Sequence, residues 1–371
     1  MNPIKILPLG MSGSGKSVYL AALYDKLAIK KPDTCFSMQT SVQIGMELAQ
    51  TYNGVKNPTK PWPPGTMGAG YNEYAFDCIV RGTGGEQFCL MKLLYLDFPG
   101  GLLKGDSQDE RFFKRFEESN AFLVLLDGVQ ILRALKGEAA AKDELYDDLE
   151  MILKPLQAGL GKPLHFVVTK WDVLESKFRL DAVADLLKGL PVFKAIIELR
   201  ERQGSGTRLI PVSAVGSNFA ELQPDGRMKK VENAKAEPFN VDLPISCLLF
   251  DLLSEAKIKW KGESKRHFLA RLRYQILGAS EALVWLGRTA ADFLPIPSAL
   301  NIVKALVNMG ADKIEHVSEE KRKEMRASIG ASILETSSAE AAFSQLVEYQ
   351  KMETHWMVRQ YPASLLSAYK E

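Results

Sequence analysis

Cysteine is scarce in this chain of 371 residues, and the four present, Cys35, Cys78, Cys89 and Cys247, form no C-x-x-C pair. That spacing argues against a disulfide framework and suits a reducing compartment. Histidine is equally sparse: His165, His267, His316 and His355 are too scattered for a metal cluster of the usual spacing. No uncharged stretch reaches the roughly 18 apolar residues that a spanning helix needs. The chain enters a strand-like run within three residues, which leaves no room for a signal peptide. A formal net charge of +2 gives no global basicity, so nucleic acid is not an expected partner. No internal repeat is evident. These absences point to a cytoplasmic chain, long enough for a large core and a second unit.

What the chain does contain begins at its tenth residue. "GMSGSGKS", Gly10 to Ser17, lies between "IKILPL", an apolar run that reads as a strand, and "SVYLAALYDKLA", which places Tyr19, Leu20, Leu23 and Leu27 at helical spacing. Strand, glycine loop and helix form the context in which G-x-x-x-x-G-K-[ST] binds phosphate. The N–H groups along Gly10, Ser12, Gly13, Ser14 and Gly15 converge there with the helix N-terminus. Lys16 is placed to reach the β and γ oxygens, and the Ser17 hydroxyl to ligate magnesium.

Three later strands end in residues with complementary chemistry. "KLLYLDFPGG", Lys92 to Gly101, delivers Asp97, a carboxylate able to hold magnesium through water, and then Gly100, whose N–H can meet a γ-phosphate. "KPLHFVVTKWD" delivers Thr169, Lys170 and Asp172. A carboxylate at Asp172 accepts the N1 proton and the 2-amino hydrogens of guanine, which adenine does not supply in that arrangement; the Lys170 stem can lie along the base and across the phosphate loop. "TRLIPVSAVG" ends in Ser213 and Ala214, with the Ala214 N–H expected at the guanine O6. "AFLVLLDG", Ala121 to Gly128, reads as one more buried strand.

These motifs, in this order, resemble those of P-loop GTPases of the Ras-like, translation-factor-related class. The likeness covers about residues 4 to 257, with Gly10–Ser17, Asp97–Gly100, Thr169–Asp172 and Ser213–Ala214 as the first, third, fourth and fifth motifs. Thr169 stands where the class usually has Asn. "DFPG" and "PFNVDLP" look similar to bacterial double-GTPase-type domains, a looser resemblance. It implies GTP or GDP with magnesium as ligands and a protein effector or activator as partner, with a second GTPase among the candidates. It also implies a threonine that closes over the γ-phosphate and completes the magnesium shell. "NPTKPWPPGTMGAG" offers Thr66, nearer the following strand and followed by small residues, with Thr59 as the alternative. Lys16 and Thr66 are therefore the candidate catalytic residues.

Two departures bear on turnover. Ras-like enzymes often carry glutamine after the D-x-x-G glycine to orient water, and here the position is Gly101. Ser12 adds a side chain where that class usually has glycine. Hydrolysis is thus expected to be slow or partner-assisted in a molecular switch; a binding-only scaffold is the alternative. Arg111 and Arg115 are either internal cations for the phosphates or surface residues of the helix in "SQDERFFKRFEES". Of Phe112 and Phe113, adjacent in that helix, one faces outward.

The expected fold is a three-layer α/β P-loop NTPase domain over 1–257, its sheet mostly parallel with Tyr71–Val80 as an antiparallel edge. About 40 residues separate the first helix from that edge, an enlarged first switch in which "SVQIGMELAQTY" reads as a helix with Val42, Met46, Leu48 and Tyr52 broadly on one side. "QPDG" marks a hairpin turn late in the domain. Residues 258–371 read as a helical region. Its basic run, Lys257 to Arg273, precedes apolar helices broken near Pro295–Pro297, which serve either as a packed appendage or as a peripheral membrane or partner-binding surface.

Overall fold

Strands that carry apolar residues at every position are buried on both faces, and this requirement organises the molecule. The structure is a computed structural model that describes residues 3–29, 31, 34–63, 72–82, 85–97, 110–156, 161–259, 319–334 and 339–368. Five parallel strands form the centre: β1 (Ile4–Leu9), β4 (Gln87–Asp97), β5 (Ala121–Asp127), β6 (Leu164–Thr169) and β7 (Thr207–Pro211). Between β1 and β4 come β2 (Ser37–Gln39) and β3 (Asn72–Arg81), and after β7 come β8 (Ala220–Leu222), β9 (Met228–Lys230) and β10 (Leu365–Ser367). The main sheet runs β10-β7-β6-β5-β1-β4-β3-β2, while β8 and β9 pair as a separate hairpin.

Alternate side chains of each central strand enter opposite cores. Ile6, Leu123, Leu125, Val167 and Ile210 face one layer of helices, α1 (Lys16–Leu27), α2 (Val42–Lys56), α8 (Leu243–Lys259) and α10 (Ala339–Gln360). Leu7, Val124, Phe166, Val168 and Leu209 face the other, α3 (Glu110–Glu118), α4 (Gly128–Leu135), α5 (Ala139–Leu156), α6 (Leu180–Lys188) and α7 (Pro191–Gln203). The three-layer, mostly parallel architecture expected from the sequence is therefore the one observed. Among the described residues, no helix is long and apolar enough to cross a membrane.

Several details differ from expectation. The antiparallel strand near Tyr71–Val80 is β3, but β2 pairs outside it and takes the edge. At the far edge β10 runs antiparallel to β7, so the stretch after 258 supplies a strand as well as helices. On α2 the buried residues are Leu48, Tyr52 and Val55, whereas Val42 and Met46 are 80% and 57% exposed. Met46 and Leu48 are two residues apart, about 200° around a helix, so they do not share a face. In α3, Phe112 and Phe116 are buried and Phe113 is exposed; Arg115 pairs at 2.9 Å with Glu73 of β3. Arg111 lies on the exposed side of α3. The Lys257–Arg273 run beyond Lys259 and the apolar stretch around Pro295–Pro297 lie outside the described residues.

Two buried ionic clusters join elements that are distant in sequence. Asp251 of α8 accepts two bonds from Arg208 of β7, at 2.9 and 2.8 Å, and lies 3.1 Å from Nε2 of His165. The second cluster involves α9 (Glu319–Leu334). Its Arg322 and Arg326 both bond to Glu353 of α10, and Arg326 and Lys26 of α1 each lie 3.2 Å from Asp242. The Arg322 guanidinium sits 3.4 Å from the centre of the Trp356 ring. Removing one partner of such a cluster strands a buried charge, at a cost of about 3–5 kcal/mol.

Burial alone would raise the Asp251 carboxyl, but Arg208 and His165 overcome it and hold the group at about 2. A carboxylate depressed below its unfolded value, about 3.9, stabilises the fold above that value and loses the contribution as pH falls towards 2. Urea unfolding should therefore show stability declining between about pH 5 and pH 2, with about 2 kcal/mol of the decline traceable to this residue. Asp251→Asn should flatten the slope over that window; an unchanged slope would refute the assignment.

Candidate functional site

Parallel strands bring their carboxyl ends to one side of the sheet, and the loops there carry the chemistry. After β1 the chain must turn tightly before α1. Gly13 and Gly15 adopt φ of 84° and 85°, the left-handed region that suits glycine. A Cβ at Gly10 would stand 2.6 Å from the Ser14 hydroxyl and 2.7 Å from the Leu125 carbonyl, so the loop lies directly against β5. Within it, the Ser14 N–H donates to the Met11 carbonyl at 3.2 Å. Gly15 is the N-cap of α1 and makes no side-chain cap bond, an arrangement in which helix N-terminal amides can meet an anion.

Lys16 curls back over this loop and donates to the carbonyls of Gly10 at 2.7 Å and Met11 at 3.2 Å. Burial lowers its pKa, opposed by Asp97. The Ser17 hydroxyl donates to Oδ2 of Asp97 at 3.2 Å, so two oxygen groups expected beside magnesium meet across 80 residues of sequence. Among the described residues, no three His, Cys, Asp or Glu side chains gather into a metal-holding group. A hydroxyl with one carboxylate fits magnesium, which keeps waters and takes its other ligands from phosphate oxygens.

The second half of the site begins one strand away. Thr169, at the end of β6, shares its hydroxyl proton between the Ser14 carbonyl at 2.8 Å and the Leu126 carbonyl at 3.0 Å. It thereby ties the glycine loop to β5 and β6. Lys170 follows in a left-handed conformation, φ 51°. Its ammonium pairs with Asp127 at 2.7 Å, the residue that also caps α4 by accepting from the Val129 N–H at 2.9 Å. Gly128 is required beside it, because a Cβ there would lie 2.3 Å from the Thr169 carbonyl.

Asp172 faces the β7 turn. Its Oδ1 accepts from the Ser213 hydroxyl at 2.6 Å, and that oxygen in turn accepts from the Gly216 N–H at 2.8 Å. Burial raises the Asp172 carboxyl, and the Ser213 bond works in the opposite direction. Ala214 is half-buried in the same turn, its carbonyl accepting from the Tyr52 hydroxyl at 2.9 Å. A carboxylate beside an oriented turn can take a pair of N–H donors while the turn's own N–H meets an acceptor.

The structure thus assembles Gly10, Ser12, Gly13, Ser14, Gly15, Lys16, Ser17 and Asp97 in one group and Thr169, Asp172, Ser213 and Ala214 in another, bridged by Thr169. Ser12 is exposed at the loop's rim. Thr59 is also exposed, its hydroxyl bonded to Asn57 at 2.8 Å within a local turn. Thr66 and Gly100 lie outside the described residues. Sequence reasoning left Asp127, Gly128 and Tyr52 without a role. Asp127 carried a usable signal, an acid at the carboxyl end of an apolar strand, as Asp97 does. A cavity of about 270 Å³ lies beside the loop, lined by Ser12 and Ser14 but by neither Lys16 nor Asp172.

No family model matches the chain, and no curated protein matches it. Among solved structures, a chain of the signal recognition particle receptor SRb-GTP/SRX complex from Chaetomium thermophilum is similar at 16% identity and a TM-score of 0.34, with 58% of this chain and 93% of that one covered. A variant of Era from Aquifex aeolicus bound to GDP·AlF4− is similar at 17% identity and a TM-score of 0.27, covering 71% and 69%. Similarities of this size assign neither a family nor a role, and the fold itself is described by the sheet order given above.

Proposed function

We propose that the chain binds GTP and GDP with magnesium and acts as a slow or partner-assisted GTPase switch. The observation that carries this reading is that the end of β6 and the turn after it present two polar contacts three residues apart in sequence, Thr169 on the Ser14 carbonyl of the glycine loop and Asp172 on the Ser213 hydroxyl of the β7 turn. We read the first as the phosphate end and the second as the base end. The loop amides from Gly10 to Gly15 hold the phosphates. Lys16 exchanges its loop carbonyls for β and γ oxygens, a stronger, charge-assisted set of partners. Ser17 and Asp97 hold magnesium, with Thr66 completing its shell and the Gly100 N–H meeting the γ-phosphate. Magnesium, when bound, neutralises charge on the transferring phosphoryl group. At the other end Asp172 accepts from guanine N1 and the 2-amino group, the Ser213 hydroxyl orients that carboxylate, and the Ala214 N–H meets O6. The Lys170 ammonium stays with Asp127, with its stem beneath the base.

Gly101 offers no side chain to orient water, so chemistry relies on a group from elsewhere. A protein activator is the natural source, a second GTPase being one candidate. Residues 258–371 are the natural route for passing the nucleotide state to an effector or a membrane surface. The exposed Ser12 favours a second reading, a nucleotide-bound scaffold with negligible turnover, because a side chain at the loop's rim obstructs an incoming catalytic group.

Purified protein should bind GTP selectively over ATP in magnesium buffer, measured by calorimetry. Asp172→Asn should lose at least about 100-fold in GTP affinity and gain xanthosine triphosphate in its place, since the amide now donates where the carboxylate accepted. Equal binding of ATP and GTP by the wild type would sink the guanine assignment. Lys16→Ala should weaken GTP by on the order of 100-fold while leaving the melting temperature within a few degrees, read in parallel by thermal shift. Phosphate release then separates switch from scaffold: slow turnover supports the first, and none with any candidate activator supports the second.

A further inference from the structure

The inserted segment between α1 and β3 is stapled to the stretch that follows β7. Tyr52 of α2 donates its hydroxyl to the Ala214 carbonyl at 2.9 Å. Lys230 of β9 donates to the carbonyls of Gly54 at 2.7 Å and Asn57 at 2.9 Å, and the Trp62 indole N–H donates to the Met228 carbonyl at 2.7 Å. Trp62 also stands edge-on to Phe219, 6.3 Å between centroids, with the Lys230 ammonium 4.6 Å from its ring. These contacts bridge more than 160 residues of sequence. On its other flank α2 reaches the helix of the phosphate loop, where Lys56 pairs with Asp25 at 3.1 Å while lying over the Tyr52 ring at 5.3 Å.

Tyr52 has the properties of a fixed donor. Its ring is 1% exposed, and burial, with the Asp25 charge added, raises the phenol well above its ordinary value, so the proton stays on. The turn it touches is braced elsewhere by its own neighbours. Ser213 and Phe239 exchange backbone bonds at 3.1 and 2.8 Å, and the Val215 carbonyl accepts from the Glu237 N–H at 2.8 Å. The Ala214 carbonyl is held from outside that lattice, by α2. Fixing it fixes the peptide plane that follows Ala214 and with it the pitch of the turn.

We propose that Tyr52 is a positioning residue for base recognition: by holding the Ala214 carbonyl, it aims the turn whose Ala214 N–H meets the guanine 6-oxygen, and so slows nucleotide release. The inference rests on the guanine reading of the site. It assigns the inserted helix a specific task, that of a brace between the phosphate-loop helix and the base-reading turn.

Tyr52→Phe removes one hydroxyl and keeps the buried ring, so the fold is retained. Release of GDP from the full chain, followed by stopped-flow displacement with excess unlabelled GDP, should quicken about tenfold, the effect of one well-aligned hydrogen bond with its carbonyl left unsatisfied. The diagnostic ligand is 6-thioguanosine diphosphate, whose sulfur is a weak acceptor. With it the wild type gains little from Ala214, and the Tyr52→Phe penalty should shrink to less than about twofold. Inorganic pyrophosphate, which probes the phosphate end alone, should bind wild type and variant equally. Unchanged GDP release in the variant, or equal penalties for GDP and the thio analogue, would overturn the role of Tyr52 while leaving the nucleotide reading intact. A wild type that binds no GDP overturns both.

Discussion

A single hydroxyl, that of Thr169, joins the two halves of the site. Its proton lies between the Ser14 and Leu126 carbonyls, so the glycine loop, β5 and β6 meet at one buried point. Loops at the ends of different strands would otherwise move independently, each with its own entropy to lose on binding. Here the Thr169 hydroxyl pins the loop to both strands. Two neighbouring glycines serve the same contact: Gly10 lets the loop approach β5, and Gly128 lets α4 start against the Thr169 carbonyl. A threonine in place of the asparagine common in the resembling class thus has a clear local job. Its hydroxyl supplies the bridge, and its methyl group fills space against the loop.

The same economy governs the buried charges. α9 and α10 do not rest on the sheet by apolar contact alone; Glu353, Arg322, Arg326 and Asp242 reach Lys26 near the end of α1. The helix that starts at the phosphate loop therefore ends in a cluster shared with the C-terminal helices. A displacement of α1 along its axis would separate Lys26 from Asp242, and a buried carboxylate losing a partner is costly. The arrangement offers a physical connection between the Gly10–Ser17 loop and the C-terminal region that needs no direct contact between them. It is a connection by proximity and charge, and its energetic coupling is a matter for double-mutant cycles.

Much of this was legible in the sequence because parallel sheets convert linear pattern into spatial order. Apolar runs become strands whose carboxyl ends, and the loops that follow them, line one edge, so Asp97 and Thr169 at strand ends can be grouped with Ser17 after the β1 loop and Ser213 just past β7. What spacing does not encode is the partner of a long side chain. The reading of the Lys170 stem leaves its ammonium without a partner, and the structure supplies Asp127, a carboxylate 43 residues earlier in sequence. Short strands were equally hidden: β2 and β10 have three residues each, and pairing at an edge, not hydrophobic periodicity, defines them. The inserted helix was recognised, but its buried face was misplaced, since a 15-residue helix with scattered apolar positions admits more than one stripe until a neighbour selects Leu48, Tyr52 and Val55.

Lys16 and Asp172 sit at opposite ends of the site under mirror-image strain. Burial disfavours the ammonium of one and the carboxylate of the other, and each is soothed by a substitute: loop carbonyls for Lys16, the Ser213 hydroxyl for Asp172. Each also has a charged neighbour that works against burial, Asp97 for Lys16 and Lys170 for Asp172. A polyanion at the loop would give Lys16 what the carbonyls do not, and a base edge with two N–H donors would give Asp172 what one hydroxyl does not. On the function proposed above, a nucleotide with a phosphate chain at one end and a donor-rich base at the other would offset burial at both groups, whereas a phosphate or a base alone would offset it at one.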